Sequence, residues 1–227
     1  MRLEESGFYL LEAPKTERCL CKYARDGVVV REEIRCSLVP GHARIGRFFS
    51  DLNVTIPCAP AADVLFTWGS ECLIQGNTLA VMKAERLTGF WTKPAKAALK
   101  KTGEQIPVYQ LGITGWAGII PAESGVRLRE YCPECQFSNW SDLANPDALI
   151  DPQNWDGSDF FMIWPLPAFI FVTERVVQVF KDAGLKGAEF VKTFPSLPRG
   201  AGLSPQRLSY FMPPDRAHEI GDPLGIY

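Results

Sequence analysis

Four residues, Cys132-Pro-Glu-Cys135, form the sharpest chemical motif in the chain. Two thiolates in one tight turn, with backbone amides turned toward the sulfurs, can bind one metal ion. A structural zinc takes four such donors. The other half could come from Cys19 and Cys21, or from one of these with Cys36. The expected ligand set is therefore Cys19, Cys21, Cys132 and Cys135 around zinc, with free thiols as the alternative. A redox role is disfavoured, because the βαβ context of such motifs is missing around the pair. Seven cysteines are odd in number and scattered, a poor disulfide framework, so reduced thiols are expected.

A catalytic set is harder to assemble. Only His42, in a Gly-His-Ala-Arg turn, and His218, beside Glu219, could serve as an imidazole base, and neither neighbours a serine or cysteine motif. No G-x-S-x-G, P-loop or H-E-x-x-H pattern occurs. A protein that is not an enzyme is expected.

Two stretches have the composition of binding surfaces. From Asn139 to Asp159 there are five aspartates and two tryptophans with no lysine or arginine. Aspartates in such a loop ordinarily cap turns, yet tryptophan anchors with complementary charge also build steered interfaces. The candidate partner-binding residues are Trp140, Asp142, Asp147, Asp151, Trp155 and Asp156. From Lys83 to Lys101, five lysines and one arginine stand against one glutamate. This is a second candidate docking face, or a solvated helix around Ala95 to Lys101.

The elements that would position these groups follow from hydrophobic periodicity. Phe160 to Val172 carries no charge, but it is shorter than the roughly 20 residues a bilayer span needs. Pro165 and Pro167 would interrupt a helix, so two buried strands are expected. Thr173 is placed to cap a helix whose apolar stripe is Val176, Val177, Phe180 and Ala183, stopped by Gly184. A strand from Ala188 to Phe194, closed by Pro195, should follow.

An earlier segment echoes this plan. Asp63-Val64-Leu65-Phe66-Thr67-Trp68 has the acid-to-tryptophan spacing of Asp159 to Trp164, and Leu87-Thr88-Gly89 matches Leu185-Lys186-Gly187. The helix between them is capped by Asn77 or Thr78, and a strand from Phe90 to Lys93 is closed by Pro94. Strands are also expected at Phe8 to Glu12, Val28 to Val30, Phe48 to Ile56, Ile106 to Leu111, Ile113 to Ile120 and Val126 to Tyr131, with a short helix from Pro214 to Ile220. The fold class is α+β: two similar strand–helix–strand units packed with additional antiparallel strands. Residues 1–103 would form an N-terminal half and 104–227 a C-terminal half, unless the chain is a single globular domain.

The totals narrow the partners. A formal charge of −2 argues against general nucleic-acid binding, which needs a basic face. The first residues, MRLEESGFYLLEAP, lack the long apolar core of a signal peptide or anchor. A cytoplasmic protein without nucleic-acid or membrane partners is expected.

Several of these residues also carry a family resemblance. Thr114-Gly115-Trp116, Pro121 to Gly125, Cys132-Pro-Glu-Cys135, Trp155 to Asp159, Trp164-Pro-Leu-Pro167 and Val172 to Arg175 are similar to the double-CXXCG motif proteins of myxobacteria and their relatives. Ser204 to Met212 and Gly221 to Gly225 resemble tails of the same group. The resemblance covers some 150 of the residues and implies an immunity protein. Such a protein neutralises its cognate toxin by stoichiometric binding; if that toxin is a nuclease, its cleft will be basic and the Asn139 to Asp159 segment is expected to enter it. Gln136 stands where the family has glycine, and the first CXXCG is missing, with only Cys19-Leu20-Cys21 nearby. The alternative is a zinc-stapled interaction or regulatory module unrelated to toxins.

Overall fold

Apolar residues alternating with polar ones along short strands place side chains on opposite faces of a sheet, and this chain builds two sheets with the same pattern of strand directions. The computed structural model describes residues 7–15, 19–24, 29–58, 61–192 and 202–227. In the first sheet, β2 (Leu20–Tyr23), β6 (Val64–Thr67), β7 (Cys72–Gln75), β9 (Gln105–Ile113) and β8 (Phe90–Leu99) lie side by side in that order. β5 (Asn53–Ile56) pairs with both outer strands and closes a barrel. The second sheet runs β10 (Gly115–Ile119), β13 (Phe160–Trp164), β14 (Ile170–Thr173), β1 (Phe8–Glu12), β15 (Glu189–Val191) and stays open. Strand sense matches position by position. The first pair is parallel in each sheet and the next three are antiparallel.

The correspondence extends to what lies between the strands. Each antiparallel pair β6–β7 and β13–β14 leads into a nine-residue helix, α1 (Gly76–Ala84) and α2 (Glu174–Asp182). Each copy also carries one inserted hairpin: β3 (Arg31–Arg35) with β4 (Ala43–Phe48) in the first, and β11 (Leu128–Tyr131) with β12 (Ser138–Trp140) in the second. Two short helices, α3 (Leu208–Phe211) and α4 (Pro214–Leu224), complete the chain.

The copies hold each other by an exchanged contact. The Asp159 carboxylate accepts the amide of Thr88 at 2.9 Å, and the Asp63 carboxylate accepts the amide of Lys186 at 2.8 Å. In return, the amides of Phe160 and Val64 donate to the carbonyls of Thr88 and Lys186, both at 3.0 Å. Gly89 (φ 81°) and Gly187 (φ 92°) follow those turns. A Cβ there would lie 2.0 Å from the Phe160 carbonyl and 2.1 Å from that of Val64, so only glycine permits the approach.

Packing follows the alternation. Val64, Phe66, Ile74, Leu79 and Met82 of one copy meet Phe160, Met162, Trp164, Val176 and Phe180 of the other in one shared core. Leu65 and Leu73 face the barrel interior with Leu52, Val54 and Ile56, while Phe161, Ile163 and Phe171 form a third cluster with Phe8 and Leu10. Fully burying each of the larger side chains stabilises by about 1.5–3 kcal/mol. The boundary at 103/104 falls in the β8–β9 turn, and the shared core draws on both sides of it.

Several expectations need correction. Ala95 to Lys101 is no helix: β8 runs on through Pro94 to Leu99, with Ala97 and Leu99 buried while Lys96 and Lys100 face outward. That two-residue period is a strand signature. α1 starts at Gly76 with Gln75 as its N-cap, and the Thr78 hydroxyl donates to the Asp63 carbonyl at 3.1 Å. Thr173 occupies the N-cap of α2 as expected, but its hydroxyl donates to Asp159 Oδ1 at 3.2 Å and caps no amide. α4 extends past Gly221 and ends at Gly225. Val28, Phe194 and Pro195 lie outside the described residues, as do the first six.

Candidate metal centre

The two inserted hairpins bring four donors together. Cys36 follows β3 and His42 precedes β4, so both sit in the β3–β4 turn; Cys132 and Cys135 sit in the β11–β12 turn. The four ligand atoms lie within 4.8 Å of one another. Cys36 Sγ is 3.7 Å from Cys132 Sγ, and Cys135 Sγ is 3.8 Å from His42 Nδ1. A tetrahedral zinc with Zn–S bonds near 2.3 Å spaces its sulfurs by about 3.8 Å. The pocket of sulfurs therefore has the size of a metal ion, and three thiols and one imidazole form a chemically suitable set.

The surroundings orient the donors. His42 is buried, stacks on Phe137 with ring centroids 4.2 Å apart, and sets its outer nitrogen Nε2 3.0 Å from Glu130 Oε1. A carboxylate on the non-ligating nitrogen fixes the tautomer and strengthens the ligating one. Arg44, also buried, donates to the carbonyls of Gln136 and Tyr227 at 2.8 and 3.3 Å, tying the Cys135 turn to the end of α4. Gln136 adopts φ 55°, the left-handed conformation that a glycine would take without strain.

Two of the three thiols are shifted toward thiolates. The Cys132 thiol is lowered from the ordinary value, first by the amide of Cys135 and then by His42. For Cys36, burial acts upward, but the amides of Val39 and Leu38 outweigh it and the thiol is lowered. Burial pushes Cys135 up to about 11, a cost that a bound cation removes by deprotonating the thiol outright. His42 is raised, chiefly by its hydrogen bond with Cys132.

Of the expected ligands, Cys132 and Cys135 stand in this cluster and Cys19 and Cys21 do not. Cys19 forms a disulfide with Cys58, contrary to the expectation that the thiols are reduced, and Cys21 faces the barrel interior with no exposure. Residues two apart on a strand share a face, so spacing alone does not part them: Cys19 precedes β2 and is taken up by Cys58, while Cys21 is sealed among the barrel's apolar side chains. Cys36 and His42 replace them. The signal was present: both flank the Pro40-Gly41 turn, as Cys132 and Cys135 flank theirs.

The acidic segment is occupied internally. Asp151 accepts from the Gln153 amide and the Asn154 side chain, Asp142 accepts from the Gly202 amide, and the Asp147 amide is capped by Asn145. Asp156 accepts from the Trp116 amide at 3.0 Å and pairs with Arg216 at 3.3 Å. The Trp155 ring packs on Phe8 and Phe161, and the Trp140 indole donates to Ser138. Turn capping describes the local bonds at Asn145, Asp151 and Asp156, while Asp142 and Asp156 also tie the segment to Gly202, Trp116 and Arg216. His218 stacks on Tyr227 and pairs with Asp222, so it stands apart from His42.

A second polar cluster lies inside the fold. The buried Glu71 carboxylate accepts from Tyr23, Tyr210 and Arg31 at 2.7, 2.6 and 3.2 Å, and from Thr67. Burial raises the Tyr23 hydroxyl to about 12. The cluster pins α3 to the barrel.

No helix among the described residues is long and apolar enough to cross a membrane. The chain matches no protein-family model, and no curated protein matches it.

Proposed function

We propose that this is a binding protein whose two hairpins are stapled by a structural zinc ion, and that it serves as an immunity protein in the cytoplasm, neutralising a cognate toxin by stoichiometric binding. The observation that carries the zinc assignment is the closed set of Cys36, His42, Cys132 and Cys135, four protein donors at tetrahedral spacing. Zinc that does chemistry keeps an open position for water or substrate, whereas four protein ligands mark a staple. The two equivalent insertions each supply one donor pair. That arrangement supports the resemblance to the double-CXXCG group, with Cys36 and His42 standing where a first cysteine pair would belong.

A zinc-stapled interaction module with some other partner is favoured by the same cluster, and the two readings part over the partner. The deciding experiment is to express the chain with the toxin candidate encoded beside its gene. Growth rescue together with a one-to-one complex on size-exclusion chromatography is expected. Full toxicity in the presence of folded protein would exclude the immunity role. Metal analysis of the purified chain should return about one zinc per molecule; its absence from folded protein would remove the staple.

A further inference from the structure

Between the first inserted hairpin, the barrel wall and the C-terminal helices lies a cavity of about 310 Å³ lined by Arg47, Phe49, Trp91, Lys93, Gln110 and Tyr210, with Met212, Pro213 and Pro214 at one side. We infer that this cleft grips an extended acidic segment of a partner protein, with an apolar side chain of that segment seated against Phe49 and Trp91. The inference rests on the binding role proposed above and assigns its contact surface.

Three independent features lead there. First, Gln110 is only 7% exposed, lines the cleft, and its side-chain amide makes no hydrogen bond among the described residues. An amide at the cleft wall with no protein partner is free to take a polar group of a ligand. A primary amide carries both donors and an acceptor, the complement of a peptide group.

Second, both charged lining residues are cations. Arg47 lies over the Phe49 ring at 4.9 Å, and Lys93 is held by Asp51 at 3.0 Å and the Ser50 carbonyl at 3.2 Å. Third, Phe49 is 55% exposed and presents its ring at the cleft. Aromatic residues and arginine around a concave centre are the composition of binding hot spots. The walls are barrel strands with a full hydrogen-bond ladder between β8 and β9, so little ordering entropy is lost on binding.

The test uses the full chain and a fluorescein-labelled, blocked peptide alternating aspartate with phenylalanine, with a lysine-for-aspartate peptide as control. Saturable binding of the acidic peptide is expected, at least roughly tenfold tighter than the control. Gln110→Leu should weaken it roughly tenfold without lowering the melting temperature, because the change removes an unpaired amide. Phe49→Ala should weaken it by a similar factor. Equal binding of the two peptides, or unchanged affinity in both variants, overturns the assignment. If a toxin complex forms but resists both substitutions, the cleft is wrong and the immunity role survives. If the peptide binds as described and no toxin complex forms, the cleft stands without that role.

Discussion

The first sheet is closed and the second is open, although their five strands follow one order and one set of directions. β5 makes the difference in the first by bridging β2 and β8. Among the described residues no such strand bridges β10 and β15, and the apolar face is covered instead by the segment carrying Leu149, Ile150 and Trp155. The acidic loop is therefore the second copy's substitute for a barrel wall. Its aspartates serve its own turns, at Asp151 and Asp156, and fasten the cover to Gly202, Trp116 and Arg216.

The tryptophans just after β6 and at the end of β13 sharpen the contrast. Trp164 is fully buried in the shared core, and Trp68, at the same place in the other copy, is 69% exposed. Equivalent positions in a duplicated plan thus carry unequal energies.

The largest expected effect lies at the join between the two insertions. Structural zinc sites contribute on the order of 10 kcal/mol of binding free energy at neutral pH. Cys132→Ser or prolonged chelation should release the metal and deprotect the amides of β3, β4, β11 and β12 in hydrogen exchange while the β8–β9 amides stay protected. Retained metal in Cys132→Ser would refute the four-donor centre.

Next comes the tryptophan pair. Trp164→Ala should cost about 3–5 kcal/mol, and Trp68→Ala within about 0.5 kcal/mol of zero; denaturant melts of the two variants give the difference directly. Comparable losses would mean that Trp68 does structural work as well.

The exchanged contacts predict a smaller asymmetry. Asp159 is buried and also binds the Thr88 and Thr173 hydroxyls and Arg175, whereas Asp63 adds only Asn77 to its Lys186 contact among its side-chain bonds. Asp159→Ala should cost about 2–3 kcal/mol and Asp63→Ala about 1 kcal/mol. Gly89→Ala and Gly187→Ala should be nearly equal to one another, each more than about 1 kcal/mol destabilising. Unequal glycine variants would show that the two turns are less alike than their hydrogen bonds.

Much of the duplicated plan was legible in the chain because it is written in local chemistry. An acid before an apolar strand, a helix, and a leucine-x-glycine stop repeat at short range, and each element depends on neighbours in sequence. The buried strands of Phe160 to Val172 and the α2 stripe at Val176 and Phe180 were legible for the same reason. β8 was misread because Pro94 looks like a terminator, while its pairing across the ladder with Tyr109 lies in another strand.

Residue types and spacing by themselves determined the fold class, the two helical units and one half of the metal set, Cys132 and Cys135. Only the tertiary structure decided that Cys36 lies against Cys132, 96 residues away, that Cys19 pairs with Cys58, and that the acidic loop is a cover. Periodicity and turn chemistry act over a few residues. Which hairpin meets which is set by the packing of two sheets on a shared core, and no spacing within the chain encodes that.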